Sequence, residues 1–513
     1  MDHYLLYVAA TSQLESAVKT FEKLKSIKSN ARKSLGESYR VEHRMLQGHV
    51  LHVFIISEIE QITSHLRQLP IDLLIYDERG KDSEDSVSAL GRIQDDMKQF
   101  AELWGPDFHF PMSRVVCILK DIEKNSLKPF HLGRFQVRNV CINPRRTEEI
   151  LLWLKDVLTQ GPISDNNKVG IALSGGGIEG FLYQIGCLHA LDLALENKSL
   201  HQCNTFSGVS SGSICAALLA TKVPPREAIR ALKKKSEILP DFAPSMFYDL
   251  AMKKILERVA KEALRWEGLS AKAWGKKLLR LIPTGFFKGE NASAYFEQAI
   301  QSFGGATRID ELENDLFIGT TDQDSFESVV FGSRGWRDIK IIDAVRASCA
   351  LPPFFTPVQI KDRHFIDGQI TGSCNLTQVV KSGCRLVILI DPLRPYTAPI
   401  PGTIDQYGGV FSIIQIIKAL VYSRFRQTLE HVTERYPDVD FIVFQPDEDC
   451  AELMAGSPMR YSLRTQIIDL AIRGTLRRLR NRNAVYAAKF AKYGFQLKKP
   501  SEIRKLEEGD FNI

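Results

Sequence analysis

Gly175-Gly176-Gly177-Ile178-Glu179-Gly180 follows the apolar run Val169–Leu173, and Gly208-Val209-Ser210-Ser211-Gly212 follows Thr205–Ser207. Both runs read as strands, and both glycine-bearing turns open helical patterns, Phe181–Leu195 and Ser213–Ala220. A strand–turn–helix carrying Gly-x-Ser-x-Gly holds its serine on a sharp, strained turn with the hydroxyl exposed. Gly208 and Gly212 remove Cβ atoms where such a turn has no room. Gly175, Gly176, Gly177 and Ile178 offer backbone N–H groups at a helix N-terminus, the place where a developing oxyanion is best stabilised. The same run also fits a phosphate-binding loop or a plain helix start. Ser210 is the candidate nucleophile, and Asp367, followed by Gly368, is the candidate base that activates it.

The rest of the chain narrows the class. Its 513 residues allow two or three domains, and 44% hydrophobic with 25% charged residues is ordinary for a globular protein. A net charge of +6 is mildly basic and compatible with an anionic surface as partner. Nine cysteines without a Cys-x-x-Cys pair argue against a zinc cluster or a disulfide scaffold, and fit reduced thiols. The N-terminal Met1-Asp2-His3-Tyr4 has no basic region before its apolar run, so a cytoplasmic protein is expected. The apolar stretch Phe411–Tyr422 is interrupted by Gln415 and Lys418 and reads as too short to span a bilayer.

Residues 1–160 alternate strand patterns (Tyr4–Ala9, Val50–Ile56, Ile71–Tyr76, Val115–Leu119, Val137–Ile142) with helix patterns (Leu14–Ile27, Glu58–Leu66, Leu90–Phe100). That alternation predicts a small parallel sheet covered by helices. A polar linker, Gly161–Asn167, separates it from a domain over 168–400. Further strands are predicted at Leu316–Thr320, Ser328–Phe331, Leu386–Ile390 and Phe441–Phe444. Residues 401–513 read as a mainly helical, basic extension packed on that domain.

From Lys168 to about Pro395 the chain resembles the patatin-like phospholipases, the bacterial-type acyl hydrolases in particular. Their glycine run maps to Gly175–Gly180, their nucleophile turn to Gly208–Gly212 and their Asp-Gly motif to Asp367-Gly368. The segment Arg346–Pro357 is similar to one those enzymes carry before the catalytic aspartate. The resemblance implies a three-layer α/β/α domain and a Ser210–Asp367 dyad that works without histidine, metal or other cofactor. Two positions depart from the pattern. Glu179 stands where the family has arginine or lysine, and Gln369 stands where it has a small residue. A carboxylate at 179 would disfavour anionic substrates if it lay beside the oxyanion site. Facing solvent, it would merely favour the helix's first turn. Residues 1–160 are similar to a response-regulator receiver domain of flavodoxin-like fold. Asp77 falls where the phospho-acceptor would sit, but Ala9-Ala10-Thr11-Ser12 replaces the acidic pair.

An α/β-hydrolase triad would need a histidine after the acid. Only His364 and His431 follow Ser210, the first in a turn-like Lys361–His364 stretch and the second in an amphipathic pattern, Arg424–Glu434. The expected function is hydrolysis of phospholipid or lysophospholipid carboxylic esters through an acyl-enzyme. The competing expectation is a catalytically weak scaffold of the same fold that acts through its N-terminal domain. Lipid is the expected substrate, with a peripheral membrane surface and a protein bound by the N-terminal domain as further partners. Nucleic acid is not expected. Lysines interleaved with aromatics over Lys233–Lys288, and the basic run Arg473–Arg482, are the segments suited to a lipid surface.

Overall fold

The computed structural model describes residues 2–9, 12, 32–33, 39–44, 50–79, 84–104, 110–120, 128–135, 137, 139–142, 144, 149–150, 153–154, 168–246, 249–251, 256, 284–398, 400–457 and 459–509. The chain divides into two compact units. One comprises residues 1–167 with 429–442 and 481–497, and the other 168–428 with 443–480 and 498–513. The stretch 401–513 is thus shared between both. The helix pattern Leu14–Ile27 and the linker Gly161–Asn167 lie outside the described residues.

The first unit is built on a seven-stranded sheet. Its strands are β1 (Asp2–Ala9), β2 (Arg32–Lys33), β3 (Tyr39–Arg44), β4 (Val50–Ile56), β5 (Leu73–Asp77), β6 (Val115–Leu119) and β7 (Asn139–Ile142), in the order β2-β3-β4-β1-β5-β6-β7. The run β4-β1-β5-β6-β7 is parallel throughout. Numbered among themselves these five strands give the doubly wound order 2-1-3-4-5. The β2–β3 hairpin adds antiparallel to the β4 edge. Apolar residues fill both faces of the sheet, with Leu6, Val8, Phe54 and Leu74 on one and Leu5, Tyr7, Val53 and Ile75 on the other. Sheets covered on both sides carry such continuous apolar strands. Asp77 ends β5, almost fully buried. Its Oδ2 accepts from Tyr7 Oη at 2.5 Å, and Arg79 donates from Nε to Oδ1 at 2.9 Å and from Nη2 to Oδ2 at 2.7 Å.

A second, eight-stranded sheet, in the second unit except for the first three residues of its last strand, is made of β8 (Lys168–Leu173), β9 (Thr205–Val209), β10 (Asp315–Asp322), β11 (Ser328–Phe331), β12 (Val358–Ile360), β13 (Arg363–Asp367), β14 (Cys384–Ile390) and β15 (Asp440–Phe444). The order is β12-β13-β10-β9-β8-β14-β15, with β11 beside β10. Strands β10, β9, β8 and β14 are parallel, while β11, β12 and β13 pair antiparallel. Helix α1 (Gly177–Ala194) packs against α2 (Ser211–Ala220), which with α3 (Ile341–Ser348) packs on the central strands. Every residue of α2 is buried, as is nearly all of α1. An apolar helix buried all round belongs to the interior of a layered α/β domain. Further on come α4 (Gly408–Arg435) and α5 (Arg464–Asn481).

The reading of Lys361–His364 as a turn holds for Lys361 and Asp362, which join β12 to β13 with Lys361 at φ 54°, whereas Arg363 and His364 already lie in the strand. The short polar segment hid the pairing of β13 with β12, because Arg363 and His364 carry no apolar signal.

Candidate active site

Register assembles the site. Val209 lies beside Gly319 of β10, and Asp367 lies beside Thr320 on the opposite edge of the same strand. Ser210, one residue past Val209, therefore meets Asp367 across the end of β10. Ser210 Oγ donates to Asp367 Oδ2 at 2.6 Å, and both residues are buried. The second oxygen, Oδ1, accepts the Gln369 N–H at 2.8 Å. The Asp367 N–H is itself tied to Ala350 O at 3.0 Å. Burial pushes the Asp367 carboxyl up from an ordinary 3.8 to about 6, against the bonds from Ser210 and Gln369 that favour its charged form. A carboxylate with that proton affinity, holding a serine hydroxyl, is suited to take the proton when the oxygen attacks.

Ser210 occupies φ 52°, ψ −128°, a conformation that L-residues rarely adopt. Close packing fixes it there. A Cβ on Gly208 would stand 2.2 Å from Gly212 O, and one on Gly212 would stand 2.5 Å from Leu173 O and Ser174 O. The turn can therefore pass between β8 and α2 only with glycine at both places. Ser348, at the end of α3, adds a brace. Its Oγ accepts the Ser210 N–H at 2.8 Å and donates to Gly319 O at 2.6 Å. Ser348 lay inside the Arg346–Pro357 segment, but nothing in the sequence gave it this task.

The glycine run borders the same serine. Gly176 caps α1, and the first intrahelical bond runs from the Gly180 N–H to Gly176 O. The N–H groups of Gly176, Gly177 and Ile178 therefore have no acceptor within the helix. Gly175 is different. Its N–H donates to Gln369 Oε1 at 2.8 Å, and a Cβ on Gly175 would stand 2.4 Å from that oxygen and 2.9 Å from Ser210 Cβ. The Gln369 carboxamide thus lies against the serine, its carbonyl oxygen on a donor of the candidate oxyanion loop. Its Nε2 is buried without an acceptor among the described residues. Gly368 opens the short turn Gly368–Ile370, whose backbone Arg424 of α4 clasps from Nη1, at 2.5 Å to Ile370 O and 3.3 Å to Gln369 O.

Glu179 departs from both of its expected fates. It is 1% exposed, so it does not face solvent. Its Oε1 accepts from Arg460 Nε at 2.6 Å, which neutralises its charge inside the protein. Burial raises the Glu179 carboxyl, opposed by Arg460 and by Lys418. Lys418 is buried too, and desolvation draws its ammonium down to about 8. A lone carboxylate repelling substrate is therefore absent. Arg460 lies 281 positions away, beyond the reach of a local reading.

His364 and His431 are exposed, and no hydrogen bond joins either to Ser210 or Asp367 among the described residues. A histidine triad has no support here. The basic run is largely engaged within the chain. Arg473 bonds Glu507 O, and Arg477 pairs with Asp447 and Glu507, as Arg480 does with Glu507. Of Lys233–Lys288, the aromatics Phe247, Trp266 and Trp274 and the pairs Lys253-Lys254 and Lys276-Lys277 lie outside the described residues.

Residues 171–380 match the family model described as patatin-like phospholipase. Among solved structures the chain is similar to VipD from Legionella pneumophila, at 11% identity and a TM-score of 0.27 over 66% of this chain and 90% of that one. It is also similar to ExoU from Pseudomonas aeruginosa, solved in complex with SpcU, at 14% identity and a TM-score of 0.26 over 66% of this chain and 76% of that one.

Proposed function

Residues 171–380 are a patatin-like phospholipase domain, and from that premise we propose that the chain hydrolyses carboxylic esters of phospholipids or lysophospholipids, with Ser210 as nucleophile and Asp367 as base. The observation that carries the reading is the 2.6 Å bond from Ser210 Oγ to Asp367 Oδ2 on a strained turn. Ser210 Oγ bonds to the acyl carbon as its proton passes to Asp367. The oxyanion is held by N–H groups of Gly176–Ile178, which have no acceptor within the helix, and losing one such donor typically costs about a hundredfold in rate. The intermediate collapses, the ester C–O bond breaks, and Asp367 returns the proton to the departing alcohol or lysolipid. Water then yields a proton to Asp367 and attacks the acyl-serine. The fatty acid leaves and Ser210 regains its hydrogen.

An unpaired carboxylate at Glu179, beside the oxyanion loop, would favour the inactive-scaffold reading, and its pairing with Arg460 removes that argument. The test is a chromogenic short-chain ester assay on the full chain. Ser210→Ala and Asp367→Asn are each expected to abolish turnover while the protein stays folded. Near-normal turnover in either variant would overturn the dyad. Mass spectrometry of lipids released from membranes would then identify the natural ester and the acyl position cut.

A further inference from the structure

Helix α4 is amphipathic in the inverted sense. Its polar Gln415 and Lys418 are buried, bonding to Ala455 O and Met454 O respectively, and Gln415 Oε1 also accepts the Tyr396 N–H. The apolar side chains Val410, Ile413, Ile416, Ile417 and Leu420 are each more than half exposed instead. They recur at helical spacing, so they form one stripe. The residues that interrupt the apolar stretch are the ones that fasten it to the domain.

We propose that this stripe is a docking face for a phospholipid bilayer, and that it sets the catalytic mouth on the membrane; the inference rests on the lipid-hydrolase reading above. Three observations favour lipid as the occupant. First, the face is continuous with the site, because Arg424 of the same helix clasps the backbone of the turn that follows Asp367. On the other side of that aspartate, the Ala350 carbonyl that holds the Asp367 N–H leads into the exposed Leu351 and Phe354. Second, between Tyr407 and Tyr422 the only charged residue is the buried Lys418, and the charges that follow are the cations Arg424 and Arg426. An uncharged stripe closed by arginines suits acyl chains beside phosphates. Third, Tyr407 is exposed at the start of the face and packs against Phe411, ring centres 4.8 Å apart. Tyrosine is the residue type that settles at the boundary between headgroups and chains.

Among the described residues α4 is the one helix long and apolar enough to cross a membrane by length and composition. Its inward face argues for lying in the interface instead, because Gln415, Lys418, Val421, Phe425 and Leu429 are buried against protein.

The experiment uses the full chain carrying Ser210→Ala, so that vesicles stay intact, and sediments it with sucrose-loaded vesicles of phosphatidylcholine and phosphatidylglycerol. Adding Ile413→Glu and Ile417→Glu is expected to lower the partition constant by at least roughly tenfold. Phe130→Glu, an equally exposed apolar site elsewhere, is expected to leave it unchanged. In the chain with Ser210 intact, the paired glutamates are expected to spare hydrolysis of a soluble short-chain ester. That activity tests the catalytic reading separately from the docking one. The uncharged pair Ile413→Ser and Ile417→Ser repeats the measurement should the glutamates disturb folding, with a weaker loss of binding expected. Undiminished sedimentation of both folded pairs overturns the proposal. So does light scattering that shows a dimer turning to monomer, because the face would then cover a second copy.

Discussion

Replacing Asp367 by asparagine is expected to abolish activity and to stabilise the fold. Burial lifts the Asp367 carboxyl from 3.8 to about 6. Each tenfold change in proton affinity is worth about 1.36 kcal/mol, so an ionised Asp367 costs the fold about 3 kcal/mol at neutral pH. The sign follows from linkage. A raised carboxyl favours the folded state fully below about 3.8, and that advantage is lost as pH rises through about 6. Asparagine has the same shape, its Oδ1 can still accept the Gln369 N–H, and it carries no charge. Its advantage should therefore emerge between pH 3.8 and 6 and hold above it. The assay is calorimetric unfolding of both proteins at pH 4.5 and pH 7.5. A rise of several degrees in Tm is expected at the higher pH, with much of the gap closed at the lower. Asp391, another buried carboxyl pushed up to about 6, is present in both proteins and cancels from the difference. A variant no more stable than the parent at pH 7.5, or a gap indifferent to pH, would refute the reasoning.

Three other outcomes follow from the same site. The pH profile of kcat/KM on a neutral ester should rise to a plateau above about 6, and at pH 5 should stand roughly tenfold below it, since the base works ionised. Gln369→Ala should free the Gly175 N–H and raise kcat/KM up to about tenfold, the worth of one neutral hydrogen bond to be displaced, whereas a slower variant with unchanged KM would make Gln369 a support for the loop. Glu179→Arg should place a third cation beside Arg460 and Lys418 and destabilise the domain by about 3–5 kcal/mol, seen as a fall in Tm. A stable Glu179→Arg variant with raised activity on anionic lipids would instead restore an electrostatic role for that position.

The parts legible in the sequence were those whose signal is local. Val50–Ile56, apolar but for His52, and the wholly apolar Val115–Leu119 have that character because parallel strands are covered on both faces, and the observed strands have those bounds. Ser210 and Gly175–Gly180 could be found because a tight turn restricts residue type within a few positions. What escaped depends on partners far along the chain. Gln369 reaches Gly175 across 194 positions, and Ser348 reaches Ser210 across 138. The β2–β3 hairpin and β13 escaped because their segments are short and mostly polar, with no apolar run longer than Phe365-Ile366. The exposed apolar face of helix α4 escaped for a different reason. Burial of polar residues beneath an exposed apolar face inverts the pattern on which such readings rest.

The split make-up of the first unit bears on how the protein is made. Asp440 pairs with Arg114 at 3.4 Å, and Lys492 pairs with Asp72, so its N-terminal sheet is joined by late segments of the chain. A ribosome working at ~5–20 residues per second needs roughly 15–65 s to travel from residue 167 to residue 497. During that interval the nascent sheet lacks Asp440 and Lys492, and the second unit is synthesised almost entirely before the first can close. Translation pauses between those points therefore lengthen the life of a sheet that has all seven strands but not these later partners, and a chain stopped short of Lys492 leaves Asp72 without its lysine.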